Sequence, residues 1–166
     1  MADTVMVYTS RQREQVFEDG GSGDWSANAA KVVSCTYIVL VKSDTYANEF
    51  AKNDILVGSA FLIGKVAGTR EAQEGRRLVI TFSEYAEINL PGAWPGNRNP
   101  VAYLNIRDLE ERYQDFSLAQ LTWHPFPFEK VKEVDTVVPL TLAEAKLGLA
   151  KALKIDPSQI EIRITA

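Results

Sequence analysis

Between Leu90 and Pro100 the chain reads LPGAWPGNRNP, with three prolines, two glycines and two asparagines in eleven residues. Such a stretch cannot be regular structure. It does carry a recognisable set of chemical tools. Reading a flat ligand such as a nucleobase needs an aromatic wall for stacking and fixed donors and acceptors for the base edge. Trp94 supplies the wall, and Asn97, Arg98 and Asn99 supply the hydrogen-bonding groups, with Arg98 also suited to a phosphate. Tyr85, Trp123 and Phe126 are further aromatics near predicted strand ends. Stacking on one ring is worth about 1–3 kcal/mol, enough for a selective site without a basic surface. A purely structural reading of the same residues stands beside this one: Trp94 plugs the open end of a small barrel and the asparagines satisfy turn backbone.

Other chemistries are excluded by composition. The chain has 18 Lys and Arg against 22 Asp and Glu, a net charge of −4, and its longest basic cluster is the Arg76-Arg77 pair. A protein that grips long duplex nucleic acid through phosphates displays a basic face instead. Cys35 is the only cysteine and His124 the only histidine, which rules out an internal disulfide and the usual Cys and His zinc sets. His124 lies between Trp123 and Pro125, with no nucleophile elbow for it to serve. There is no Walker loop, dinucleotide glycine fingerprint or His-rich metal pattern. Glu84 and Glu87, three apart on a predicted strand, point to opposite faces and do not form a carboxylate pair. The expectation is a non-catalytic protein with no metal and no cofactor.

The elements that position the loop follow from periodicity. Val5 to Thr9 predicts a short strand, and the segment after it fits either a strand continuation or a helical turn. GGSGDW, residues 20 to 25, reads as a loop, with Trp25 as a lid on the core or a binding residue. KVVSCTYIVLVKSD, from Lys31, is rich in β-branched residues and predicts a buried strand, ending at Lys42-Ser43 and holding Cys35 as a small buried residue. TYANEFAKND predicts a brief helix or turn, and ILVGSAFLIGKVAG a strand pair or one bent strand. Gly58, Gly64 and Gly68 within it mark bulges or close backbone approach. RRLVITFSEYAEI alternates as a half-buried strand, VAYLNI is another, and RDLEERYQDFSLAQL is helical or two short turns.

The tail carries the clearest local signal. Thr141 and Glu144 form a capping box opening LAEAKLGLAKALK, with Leu142, Ala145, Leu149 and Leu153 on one face. Asp156-Pro157 stops that helix, and IEIRI alternates as a strand with one apolar face. The predicted class is α+β: a main body over residues 1–139 and a helix-strand appendage over 140–166, packed on the body or on a partner. The terminal strand would offer a free edge for homodimer pairing across a two-fold axis. The start of the chain has no basic region followed by an apolar one, and no apolar run nears the roughly 18 residues a membrane span needs. These features predict a cytoplasmic protein with no membrane partner.

Three segments together resemble EVE-type domains of the PUA superfamily. VLVKSD at 39–44 resembles the first strand, which in that family ends in a Lys-Ser pair beside the pocket; NDILVGSAFLIGKVAG at 53–68 resembles the next element. NPVAYLNIRDL followed by FSLAQLTW resembles the late strand, short helix and closing strand. The resemblance covers about residues 32–135, and the chain departs from it in lacking a Trp in the first strand and a Pro after the acidic residue. It implies a small mixed β-barrel with short helices, a pocket bordered by Lys42 and Ser43, and recognition of nucleic acid, often through a modified base. The leading expectation is therefore a module binding a nucleobase, nucleotide or short nucleic acid against Trp94. The alternative is a protein-interaction module, such as an inhibitor or accessory subunit in a bacterial or phage defence or counter-defence system, whose acidic surface meets a basic partner.

Overall fold

The computed structural model describes residues 1–44, 55–72, 75, 77–127 and 141–162. The chain divides into two compact units, Met1–Phe128 and Glu129–Ala166. The first unit is built on seven strands: β1 (Thr4–Thr9), β2 (Ser22–Trp25), β3 (Tyr37–Lys42), β4 (Ala60–Glu71), β5 (Leu78–Leu90), β6 (Val101–Leu104) and β7 (His124–Pro125). They form one sheet in the order β2-β5-β4-β3-β1-β6, with β7 pairing the edge of β5. Helices α1 (Arg13–Glu18), α2 (Ala29–Val33) and α3 (Ile106–Arg112) complete it. The fold is α+β, with a curled half-barrel sheet.

At the centre, β1 and β3 run parallel, Thr4 opposite Tyr37 through Thr9 opposite Lys42. A parallel pair is joined by a crossover, and here α1, β2 and α2 make it. Both faces of this pair are covered. Val5, Val7, Ile38 and Leu40 pack in one apolar cluster with Val16 of α1, Val32 of α2 and Trp25. Met6, Val39 and Val41 pack on the other side with Ile106 and Leu109 of α3. Double burial explains why the two strands read as unbroken apolar runs and not as alternating ones.

The curl comes from the long β4–β5 hairpin, whose register slips three times. Between Ala60 and Leu62 the β5 partner jumps from Leu90 to Glu87. On the β3 side Leu40 faces Leu62 while Val41 faces Ala60, so Phe61 is an extra residue there, and Phe61 and Leu62 enter the same core cluster. Further slips fall between Lys65 and Val66 and between Val66 and Gly68. Each bulge raises the local twist. Gly64 confirms the expected close approach: a Cβ there would sit 2.7 Å from the Phe82 ring.

Several expectations are corrected. GGSGDW is not wholly a loop: Gly20 and Gly21 turn with positive φ, and Ser22–Trp25 then pairs with β5. Trp25 is the lid on the core, its Nε1 donating to Ser22 Oγ at 2.9 Å. The apolar run from Lys31 is split, because Asn28 Oδ1 accepts from the Lys31 N–H at 3.0 Å and caps helix α2 before the strand begins at Tyr37. The ambiguous segment after β1 is helix α1. The predicted helix or turn at TYANEFAKND lies outside the described residues.

In the second unit, α4 (Leu142–Leu153) forms as predicted. Thr141 Oγ1 accepts from the Glu144 N–H at 3.3 Å, and Glu144 Oε2 accepts from the Thr141 N–H at 2.8 Å. The bonds that the Glu144 carboxylate accepts from the Thr141 N–H and hydroxyl, both at 2.8 Å, hold its pKa below the ordinary value. Lys154 ends the helix in the left-handed region, and Asp156 Oδ1 accepts from Ser158 N–H at 2.9 Å to open a single 3-10 turn over Pro157–Gln159. The expected strand is not formed at Ile160–Ile162: Ile160 is extended, but no neighbouring strand among the described residues pairs with it. Residues 163–166 lie outside the described set. Among the described residues, no helix is long and apolar enough to cross a membrane.

Candidate functional site

The proline- and glycine-rich loop sits where β1 and β3 end. Leu90, the last residue of β5, faces Ala60, which faces Val41 near the end of β3. From there the chain crosses to β6, whose Val101 faces Val7 of β1. Two Pro-Gly pairs shape the crossing, with Gly92 at φ 64° and Gly96 at φ 84°, values that favour glycine. Helix α3 holds the loop from behind: Tyr113 OH donates to the Pro91 carbonyl at 2.7 Å and Arg112 Nη2 to the Gly92 carbonyl at 2.9 Å. Trp94 N–H donates to the Gly58 carbonyl at 3.1 Å, and the Tyr8 N–H donates to the Pro100 carbonyl at 2.8 Å.

So positioned, the half-buried Trp94 ring lies on Tyr8, centroids 4.8 Å apart and planes 14° from parallel. A pair of this kind contributes about 0.5–1.5 kcal/mol beyond its area. Tyr8 is the residue that sequence reading missed. The signal available was an aromatic next to the end of an apolar strand run, but nothing local says which loop will cover it.

Of the polar loop residues, Asn99 is structural: its Oδ1 accepts from the Val101 N–H at 3.1 Å and starts β6. Asn97 and Arg98 are exposed and make no hydrogen bond or ion pair among the described residues. Lys42 and Ser43 lie at the same end of the sheet. The Gly58 N–H donates to the Lys42 carbonyl at 2.7 Å, and the Ser43 N–H to the Thr9 carbonyl at 2.8 Å. The Lys42 side chain is buried, with Nζ donating to the Ser10 carbonyl at 2.8 Å, and burial pushes its pKa down.

The remaining predicted site residues are elsewhere. Trp123 stacks near Tyr37, at 6.2 Å, with Lys65 Nζ 4.6 Å above its ring and 2.6 Å from Glu84 Oε2. Tyr85 faces Gly64, which faces Ile38. Phe126 packs edge-on against Phe82 at 4.4 Å and near Tyr85 at 6.3 Å. Tyr37 begins β3 and Lys42 ends it, so these aromatics stand about 16 Å from the loop, at ~3.3 Å per residue. They close the far end of the sheet where β7 pairs β5. The structure thus gathers Trp94, Asn97, Arg98, Lys42 and Ser43 at one end and separates Tyr85, Trp123 and Phe126 from them.

Among the described residues, no cluster of His, Cys, Asp or Glu has the arrangement of a metal site. Glu84 and Glu87 are each engaged with a cation, Lys65 and Arg13 respectively. No protein-family model, no curated protein and no solved structure matches the chain.

Proposed function

We propose that the protein is a non-catalytic binding module that holds a nucleobase, nucleotide or short nucleic acid at the strand-end loop. The observation that carries this reading is the Tyr8–Trp94 stack beside Asn97 and Arg98, two side chains with unused hydrogen-bonding capacity among the described residues. A second ring already parallel to Trp94 fixes the indole plane before a ligand arrives, which removes part of the ordering cost of binding. Arg98 offers a planar guanidinium to a base edge or a phosphate. A modified base is the ligand that the resemblance to the PUA superfamily implies.

Titration of the wild type and Trp94→Ala with nucleosides, modified nucleosides and short single strands, followed by tryptophan fluorescence, tests this. The expected result is a saturable emission change in the wild type that is lost in Trp94→Ala and kept in Trp123→Phe. An unchanged response in Trp94→Ala, or none in the wild type, overturns the reading.

A further inference from the structure

On the sheet face opposite Trp94, three polar side chains form a row across the strand ends. Thr9 of β1 and Lys42 of β3 are register partners. Lys42 donates its N–H to the Ser59 carbonyl at 2.9 Å, which makes Ser59, just before β4, its neighbour on the other side. Alternation sets their common direction: Thr9 continues Val5 and Val7, Lys42 continues Ile38 and Leu40, and Ser59 opposes the side taken by Ala60. All three are buried, Thr9 at 3%, Lys42 at 7% and Ser59 at 2% exposure.

Their hydrogen bonds do not balance. An ammonium carries three donors, and Lys42 Nζ spends one on the Ser10 carbonyl. Thr9 Oγ1 accepts from the Arg11 N–H at 3.1 Å, which leaves its own proton to give. The Ser59 hydroxyl makes no hydrogen bond among the described residues. Nor does Lys42 have an ion pair among them, and burial alone lowers its pKa. The row therefore keeps donors to spare, two ammonium N–H groups and two hydroxyl protons, beside a positive charge with no ion pair among the described residues. Burying such a group is costly unless a charge and acceptors meet it.

An oxyanion supplies both. It brings several acceptor lone pairs and a negative charge, and its bonds to an ammonium are of the strong, charge-assisted kind. We propose that Thr9, Lys42 and Ser59 form an oxyanion subsite that takes a phosphate group, on the face opposite Trp94 and independently of the reading above.

Thermal unfolding at low ionic strength, with inorganic phosphate compared against chloride of matched ionic strength, tests the subsite directly. Phosphate raises the midpoint of the wild type and of Trp94→Ala, and leaves Lys42→Met unmoved. Ser59→Ala and Thr9→Val, which retain the lysine, each weaken the phosphate response at least threefold, and they decide the matter if Lys42→Met does not fold. A phosphate response absent from the wild type, or equal in the wild type and all three subsite variants, overturns the proposal. Nucleosides that bind the wild type while phosphate does nothing sink the subsite and leave the Trp94 reading standing. Phosphate that binds through Lys42 while no nucleoside quenches Trp94 does the reverse.

Discussion

Gly64 is a tight point inside β4. A Cβ there would meet Phe82 Cδ2 at 2.7 Å, and Phe82 packs edge-on against Phe126 at 4.4 Å, so a shift of the ring disturbs a second aromatic contact. Gly64→Ala is expected to cost about 1–3 kcal/mol, the usual range for overpacking, read as a lower urea midpoint at unchanged m value. Lys42 makes a prediction of opposite sign. Its amine is shifted below its ordinary 10.5 by burial, so between the folded-state value and 10.5 the unfolded chain binds more protons than the folded one. This group's contribution to stability accordingly rises with pH across that window, and its penalty is complete below it. Denaturation of the wild type and Lys42→Met from pH 7 to 10.5 should show the variant's relative stability greatest at pH 7 and declining as the pH climbs. At this scale the sequence was only half legible. Trp94, Asn97 and Arg98 announced themselves by type, but Asn99 proved to be a turn acceptor, and Tyr8, Thr9 and Ser59 look ordinary until their cross-strand neighbours are known.

Elements with local signals were read well. The Thr141–Glu144 box placed α4, and the β-branched run placed β3, since both depend on residues a few positions apart. Elements fixed by distant partners were not. Ser22–Trp25 is a strand because β5 is beside it. Helix α2 was hidden because its valines merge with the apolar run that follows, although Asn28 and the alanines after it were a cap and a helix start in plain view. The same dependence on distant partners governs the Pro- and Gly-rich loop, which owes its placement to α3. Tyr113→Phe removes the bond to the Pro91 carbonyl. It is expected to cost about 0.5–1.5 kcal/mol of stability and, by loosening the stacked indole, to weaken base binding several-fold, which equilibrium fluorescence titration against the wild type would measure.

For the molecule as a whole, composition and pattern gave the α+β class, while the parallel pairing of β1 with β3 left no trace in either. That pairing decides where the two proposed sites fall, one on each face of the same strand ends. A short bridge joins them: the Lys42 carbonyl accepts from the Gly58 N–H, and the Gly58 carbonyl accepts from the Trp94 N–H. Gly58, with φ 81°, is held by both of these bonds and so links the two faces through one residue's backbone. Were a base and phosphate to bind together, any gain in phosphate affinity caused by the base would be returned as the same gain in base affinity caused by phosphate.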